Sequence, residues 1–326
     1  MTIENQIVDY IKSQSEATAN ELQEHIGVSR QMIHRVLYQM IEQKYLQKLG
    51  RPPKVFYKLN KDPQSKITAI SLTENETDFL DEHFLIVTET GIRLEGIAAM
   101  QSWCQKQKLP VEKTAREFIV TKKKYLAYFS PNGLINGTKK LKTTKGFDQI
   151  AVDDLFYCDF YAIERFGKTR LGTLLHFAKQ GQNRPLMQEI IGLTKDKVKN
   201  LIEEKNIEAV GYIPPTIKRH LQFMKVLQKG YNFPLPHLNI VKVSGAIAVP
   251  QKALSRLQDR INNARTSLMV KETRHFNNIL LIDDAVGSGA SMNETSIKLK
   301  QKDIAKKVFG LAITGSFKGF DVIQEV

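Results

Sequence analysis

Asn278-Ile279-Leu280-Leu281-Ile282-Asp283-Asp284-Ala285-Val286-Gly287-Ser288-Gly289-Ala290-Ser291 decides how this chain is read. Four apolar residues in a row, Ile279 to Ile282, fit a strand covered on both faces, as in a parallel sheet. Ligands of such sheets sit at the carboxyl ends of the strands, and Asp283 and Asp284 fall at that end. Beyond them Gly287, Ser288, Gly289 and Ala290 carry little or no side chain, so backbone N–H groups can converge on a phosphate. A helix opening near Ser291 adds its positive dipole end. Strand, acids and small-residue loop in that order predict a site for a sugar phosphate.

The flanking sequence alternates between strand and helix patterns from residue 151 onward. Glu208 to Ile213, Leu238 to Val243, Ile279 to Asp283 and Val308 to Thr314 read as strands. Lys195 to Lys205, Thr216 to Lys229, Gln251 to Arg265 and Ser291 to Lys302 read as helices. This alternation predicts a parallel α/β sheet for residues 151–326. Two better-known phosphate motifs fail. Phe166-Gly167-Lys168-Thr169 ends like a Walker A loop, but Ala162 stands where that spacing requires glycine. Gly287-Ser288-Gly289-Ala290-Ser291-Met292 lacks the third glycine of a dinucleotide fingerprint, and its strand ends in two acids that would repel a pyrophosphate. None of the seven histidines falls in a His-Glu-x-x-His spacing, so a zinc hydrolase has no support.

Residues 1–62 follow a different grammar. Ile3, Ile7, Val8 and Ile11 recur at helical spacing, Thr18 or Asn20 can cap a short helix carrying Leu22 and Ile26, and Gly27-Val28 makes a turn. Ser29 is a candidate N-cap for a longer helix whose apolar stripe is Ile33, Val36, Leu37, Met40 and Ile41. Tyr45 to Leu49 and Val55 to Leu59 read as strands around Gly50-Arg51-Pro52-Pro53-Lys54. The pattern resembles a winged helix-turn-helix DNA-binding domain. The resemblance implies double-stranded DNA as a partner, with Ser29, Arg30, Gln31, His34 and Arg35 at the major groove and Arg51 and Lys54 on a wing that contacts phosphate. Eight basic residues against six acids over residues 1–60 keep a protein-contact role open.

Residues 63–150 read as a helical and lysine-rich connector. Residues 74–107 are expected to be largely helical, with Phe79, Leu80, Phe84, Leu85, Leu94, Ile97, Met100 and Trp103 in a buried stripe. Between Lys106 and Lys145 eleven basic residues face two acids, which fits either a solvated surface or a polyanion partner. The whole chain carries a formal charge of +14 over 326 residues. Hydrophobic residues at 42% exclude wholesale disorder, and two cysteines exclude a disulfide framework or a Cys-rich zinc site. The first residues lack a signal-peptide pattern and no long apolar run is present, so a cytoplasmic location with no membrane partner is expected.

The Asp283-Asp284 stretch resembles the phosphoribosyltransferase signature for 5-phosphoribosyl 1-pyrophosphate. In that family the acids contact ribose hydroxyls and the loop amides hold the 5′-phosphate, which implies Ala285, Gly287, Ser288, Gly289, Ala290 and Ser291 as ligand contacts. Gly287 stands where many members have Thr. Gln251-Lys252-Ala253-Leu254-Ser255-Arg256, then Arg260 and Asn262, is similar to the pattern of the ComF-type, competence-associated branch. Leu174 to Asn183 resembles that branch's leading helix, and Val210 to Arg219 falls at its pyrophosphate loop. The resemblance implies Lys218 and Arg219 at the pyrophosphate, Arg256 and Arg260 as catalytic cations on a mobile loop, and Mg²⁺ near Asp283 and Asp284. Arg219-His220-Leu221-Gln222-Phe223 departs from the Arg-Gly-Phe-Asn-Gln run usual in the family, and no zinc ribbon precedes the domain.

Three functions stay open on these residues. The chain is a DNA-binding regulator that senses phosphoribosyl pyrophosphate or a nucleotide, an active phosphoribosyltransferase, or a ComF-like protein that handles DNA. A homodimer is expected by analogy with other winged-helix regulators.

Overall fold

The apolar stripes of the first forty residues fold into three helices, α1 (Ile3–Gln14), α2 (Ala19–Ile26) and α3 (Arg30–Glu42), followed by the antiparallel pair β1 (Leu46–Arg51) and β2 (Lys54–Leu59). Thr18 starts α2 with a capping box: its hydroxyl accepts from Glu21 N, and the Glu21 carboxylate accepts from Thr18 N at 2.7 Å. Gly27, at φ 73°, ends α2 in the left-handed conformation, and the Ser29 hydroxyl accepts from Met32 N to begin α3. Ile7, Ile11, Leu22, Ile33, Leu37, Leu46 and Tyr57 close the core. Ala17 exchanges two backbone hydrogen bonds with Tyr57, tying the α1–α2 connection to the hairpin.

The computed structural model describes residues 3–42, 45–60, 71–215, 217, 219–243, 254 and 256–317. Lys218, Gln251 to Ala253 and Ser255 lie outside them. The chain divides into two units, Met1–Leu72 with Val87–Leu94, and Thr73–Ile86 with Glu95–Val326.

In the second unit α4 (Glu74–His83) opens with a capping box of its own, Thr73 with Glu76. The expectation of helix from 74 to 107 fails in its middle. After α4 come the short paired strands β3 (Leu85–Val87) and β4 (Arg93–Glu95), and only then α5 (Gly96–Gln107). Phe84 is already extended, the run Ile86-Val87-Thr88 is β-branched, and Gly91 turns the chain at φ 80°. Helix α6 (Val111–Leu126) follows, then the short β5 (Ile135–Asn136) and α7 (Thr138–Thr143).

The main sheet is built from β5, β6 (Asp154–Phe160), β7 (Ala209–Tyr212), β10 (Phe276–Val286) and β11 (Ala305–Gly315), in the order β5-β6-β11-β10-β7. Four strands are parallel and β5 is antiparallel on the β6 edge. Between β6 and β7 run α8 (Arg170–Gln180) and α9 (Arg184–Glu204). Between β7 and β10 lie α10 (Phe223–Tyr231), β8 (Ile240–Lys242), α11 (Leu257–Ser267) and β9 (Leu268–Val270). Helix α12 (Ala290–Gln301) joins β10 to β11. The β6-to-β7 and β10-to-β11 crossovers travel in opposite directions along the sheet, so the right-handed rule sends their helices to opposite faces. Neighbouring residues of β11 agree: Phe309 faces Lys205 at the end of α9, and Gly310 leaves room for Met292 of α12. Ile279 to Ile282, covered from both sides, are fully buried.

One predicted strand stands apart from this sheet. Residues 238–243 contain β8, which pairs antiparallel with β9 in a separate two-stranded sheet. The chain runs beside β7 for a single bridge, Val210 with His237, before Asn239 turns to bond Lys271. The helix read over 216–229 begins only at Phe223.

Candidate functional site

Asp283 and Asp284 sit near the carboxyl end of β10, beside the departure of β7, where Ile213 N bonds Ile282 O at 2.9 Å. A cavity of about 250 Å³ opens there, lined by both acids, by Ala285 to Met292 and by residues from α8, the β7–α10 segment and β8. The two carboxylates share the cavity but have different partners. Asp284 pairs with Lys179 of α8 at 2.5 Å, while Asp283 faces Lys242 of β8. Burial pushes the Asp283 carboxyl up to about 7, helped by the neighbouring Asp284 charge and opposed by the Asp284 N–H, Lys179 and Lys242. The same burial pushes Lys242 down, and it pushes the Tyr161 phenol up with a smaller push from Asp284.

The loop after β10 is shaped for close approach. Gly289 holds φ 82° and leaves only 2.7 Å between an added Cβ and Leu141 Cδ1 of α7, so no other residue fits without displacement. It occupies the N-cap of α12 and offers no side-chain acceptor to the helix. Ser288 Oγ receives a long bond from Ala290 N, at 3.4 Å. The first amides of an α-helix have no intrahelical acceptor, so those at the start of α12 can meet an anion.

Of the cations expected here, Arg260 lines the cavity and is buried, with its Nε donating to Leu254 O at 2.7 Å. Arg256 is exposed at the N-cap of α11 and is not among the cavity residues. Arg219 also lines the cavity, but its guanidinium donates to Lys179 O at 2.7 Å and to Gln180 Oε1 at 3.2 Å, holding the end of α8. Tyr161, His176, Lys179 and Lys242 belong to the lining and were not picked out from the sequence. The only signal for Lys179 is its place within the stretch similar to a ComF-type leading helix. Lys242 lies in a predicted strand, with nothing local to mark it.

The first unit presents a surface of another kind. Ser29, Arg30, Gln31, His34 and Arg35 are all exposed along α3, as are Arg51 and Lys54 at the hairpin turn. Arg35 Nη2 contacts Met32 Sδ at 3.0 Å. In the lysine-rich segment several charges are neutralised internally: Lys122 is buried against Asp159 at 3.7 Å, Arg116 meets Glu76 at 3.0 Å and Lys124 meets Glu164 at 3.1 Å. Lys139, Lys142 and Lys145 remain exposed.

Among the described residues no helix is long and apolar enough to cross a membrane, and no group of three or more His, Cys, Asp or Glu is placed to hold a metal ion. Comparison with protein-family models and with curated protein sequences gives no match for this chain.

Proposed function

We propose that the chain is a DNA-binding regulator with a winged helix-turn-helix at residues 1–62 and a type I phosphoribosyltransferase-like domain at residues 151–326. The second domain binds phosphoribosyl pyrophosphate or a nucleotide, together with Mg²⁺. One observation carries the reading: Asp283, Asp284, the Gly287–Ser291 loop and the opening turn of α12 converge on a single cavity at a strand end. The acids accept from ribose hydroxyls, and the loop amides hold the 5′-phosphate. Two adjacent carboxylates that disfavour each other's charge suit a hard divalent cation, which takes oxygen ligands and shares them with phosphate and water. Mg²⁺ would supply charge neutralisation there, with Asp283 and Asp284 as its protein ligands. The exposed polar face of α3 supports DNA recognition.

The test is fluorescence anisotropy of labelled genomic fragments with the full chain, titrated with phosphoribosyl pyrophosphate and Mg²⁺ or with nucleotides. Ligand-dependent DNA affinity supports the regulator, and an affinity that no ligand moves counts against it. The buried cation Arg260 favours a second reading, an active phosphoribosyltransferase. Release of pyrophosphate with one base from a panel would establish that enzyme instead.

A further inference from the structure

The acids of the cavity already have cationic partners supplied by the chain itself. Asp284 Oδ2 stands 2.5 Å from Lys179 Nζ of α8, and Lys242 of β8 faces Asp283 from a different element. At Asp284 an ammonium group and a divalent cation exclude each other. The ammonium group, at hydrogen-bond distance, occupies an oxygen that the cation needs as a ligand. Two cations on one carboxylate also repel at short range, and the Asp284 side chain is only 17% exposed, so water screens that repulsion poorly.

Lys179 is placed so that its side chain can leave while its backbone stays. The side chain is 32% exposed, which gives the ammonium group a route to water. The backbone around it is held by the segment before α10. Lys179 O accepts from Arg219 Nη1 at 2.7 Å, Gln180 Oε1 accepts from Arg219 Nη2 at 3.2 Å, and Gln182 Oε1 accepts from Leu221 N at 2.8 Å. Only the flexible stem and its charged end have to move for Asp284 to be released. Nor does the end of α8 require the ion pair. A lysine in the last turn of a helix favours the dipole with its side chain in water, whereas Lys179 reaches into the cavity to the end of β10.

We propose that Lys179 is an internal counter-ion of Asp284 that a divalent cation must displace on entering, so that this lysine sets the cation affinity of the site. This rests on the reading of the cavity as a sugar-phosphate site that takes Mg²⁺. The test titrates the full chain with Mn²⁺, which takes the same oxygen ligands as Mg²⁺ and whose free fraction is read by electron paramagnetic resonance. Lys179→Met, neutral and of similar length, should bind Mn²⁺ roughly tenfold more tightly than the native chain. Lys179→Arg keeps the charge and should show no gain. Asp284→Asn added to Lys179→Met should abolish the gain, which locates the cation on Asp284. Lys179→Gln is a second neutral variant, and thermal melts check that each variant is folded. Mn²⁺ affinity that is equal or weaker in both neutral variants overturns the inference, as does an absence of Mn²⁺ binding in every variant. A separate calorimetric titration of the native chain with ribose 5-phosphate then distinguishes the two failures: binding keeps the sugar-phosphate site without the counter-ion role, and no binding removes that site as well.

Discussion

The α3 face and the β10 cavity both carry residues proposed to meet phosphate-bearing ligands, yet they are built on opposite terms. On α3 the polar side chains stand in water and the core beneath is wholly apolar. In the cavity the acids are partly buried, coupled to one another and held by lysines from two other elements. An exposed face can change its ligand chemistry with little effect on folding. A desolvated site cannot, because each charge there is also part of the fold's electrostatics.

The largest effect should come from Asp283→Asn combined with Asp284→Asn. Loss of the charged acceptors should weaken nucleotide binding by at least about 100-fold, measured by calorimetry, while DNA affinity stays as it was. Asp283→Asn alone should also change stability. A carboxyl raised in the folded state from 3.8 to about 7 destabilises the fold once ionised. The native chain should therefore lose stability as pH rises through that window, and the variant should flatten the curve in thermal melts. Next, Gly289→Ala should destabilise the second unit by about 1–3 kcal/mol in denaturant melts, because it forces a positive φ and a clash with Leu141. On the other surface, Arg30→Ala should cost about 1–3 kcal/mol in DNA binding with an unchanged melting temperature. A coupled loss of stability would break the contrast between the two regions.

Glu272 sharpens the contrast from within the second unit. It too is buried, but Arg274 and the Thr273, Arg274 and Asn239 amides hold its carboxyl down at about 2. It stabilises the fold above its ordinary value of 4.5, and that contribution is lost as pH falls toward 2. Glu272→Gln should cost about 1–2 kcal/mol at neutral pH and little in acid, the reverse of Asp283→Asn. The smallest effect expected is Thr18→Ala, about 1 kcal/mol from the lost capping box, read from urea melts.

The sequence spoke clearly wherever the physics is local. The α3 stripe, the Gly27 turn, the Ser29 cap and the β10–α12 run each depend on residues a few positions apart, and each is seen in the structure. β6 passed unmarked because Leu155-Phe156-Tyr157-Cys158 is a short apolar run whose identity is fixed only by β11, about 150 residues later. Residues 84–95 read as helix because their apolar spacing suits either period, and Gly91, at positive φ, turns the chain instead. Lys179, Lys242 and Tyr161 reach the cavity from three separate elements, and no spacing in one dimension encodes that convergence. Arg256 and Arg260 lie one helical turn apart, yet only Arg260 lines the cavity.

The pairing of β6 with β11 has a consequence for synthesis. When β6 leaves the ribosome, its parallel partner β11 has not yet been translated, and β7 likewise waits for β10, over a shorter stretch of chain. The helices and hairpin of the first unit are complete after some sixty residues and can close at once through local contacts, while the sheet is a late, high-contact-order event. In the nascent chain, the helices and hairpin proposed to bind DNA are thus formed well before the cavity that is proposed to govern them.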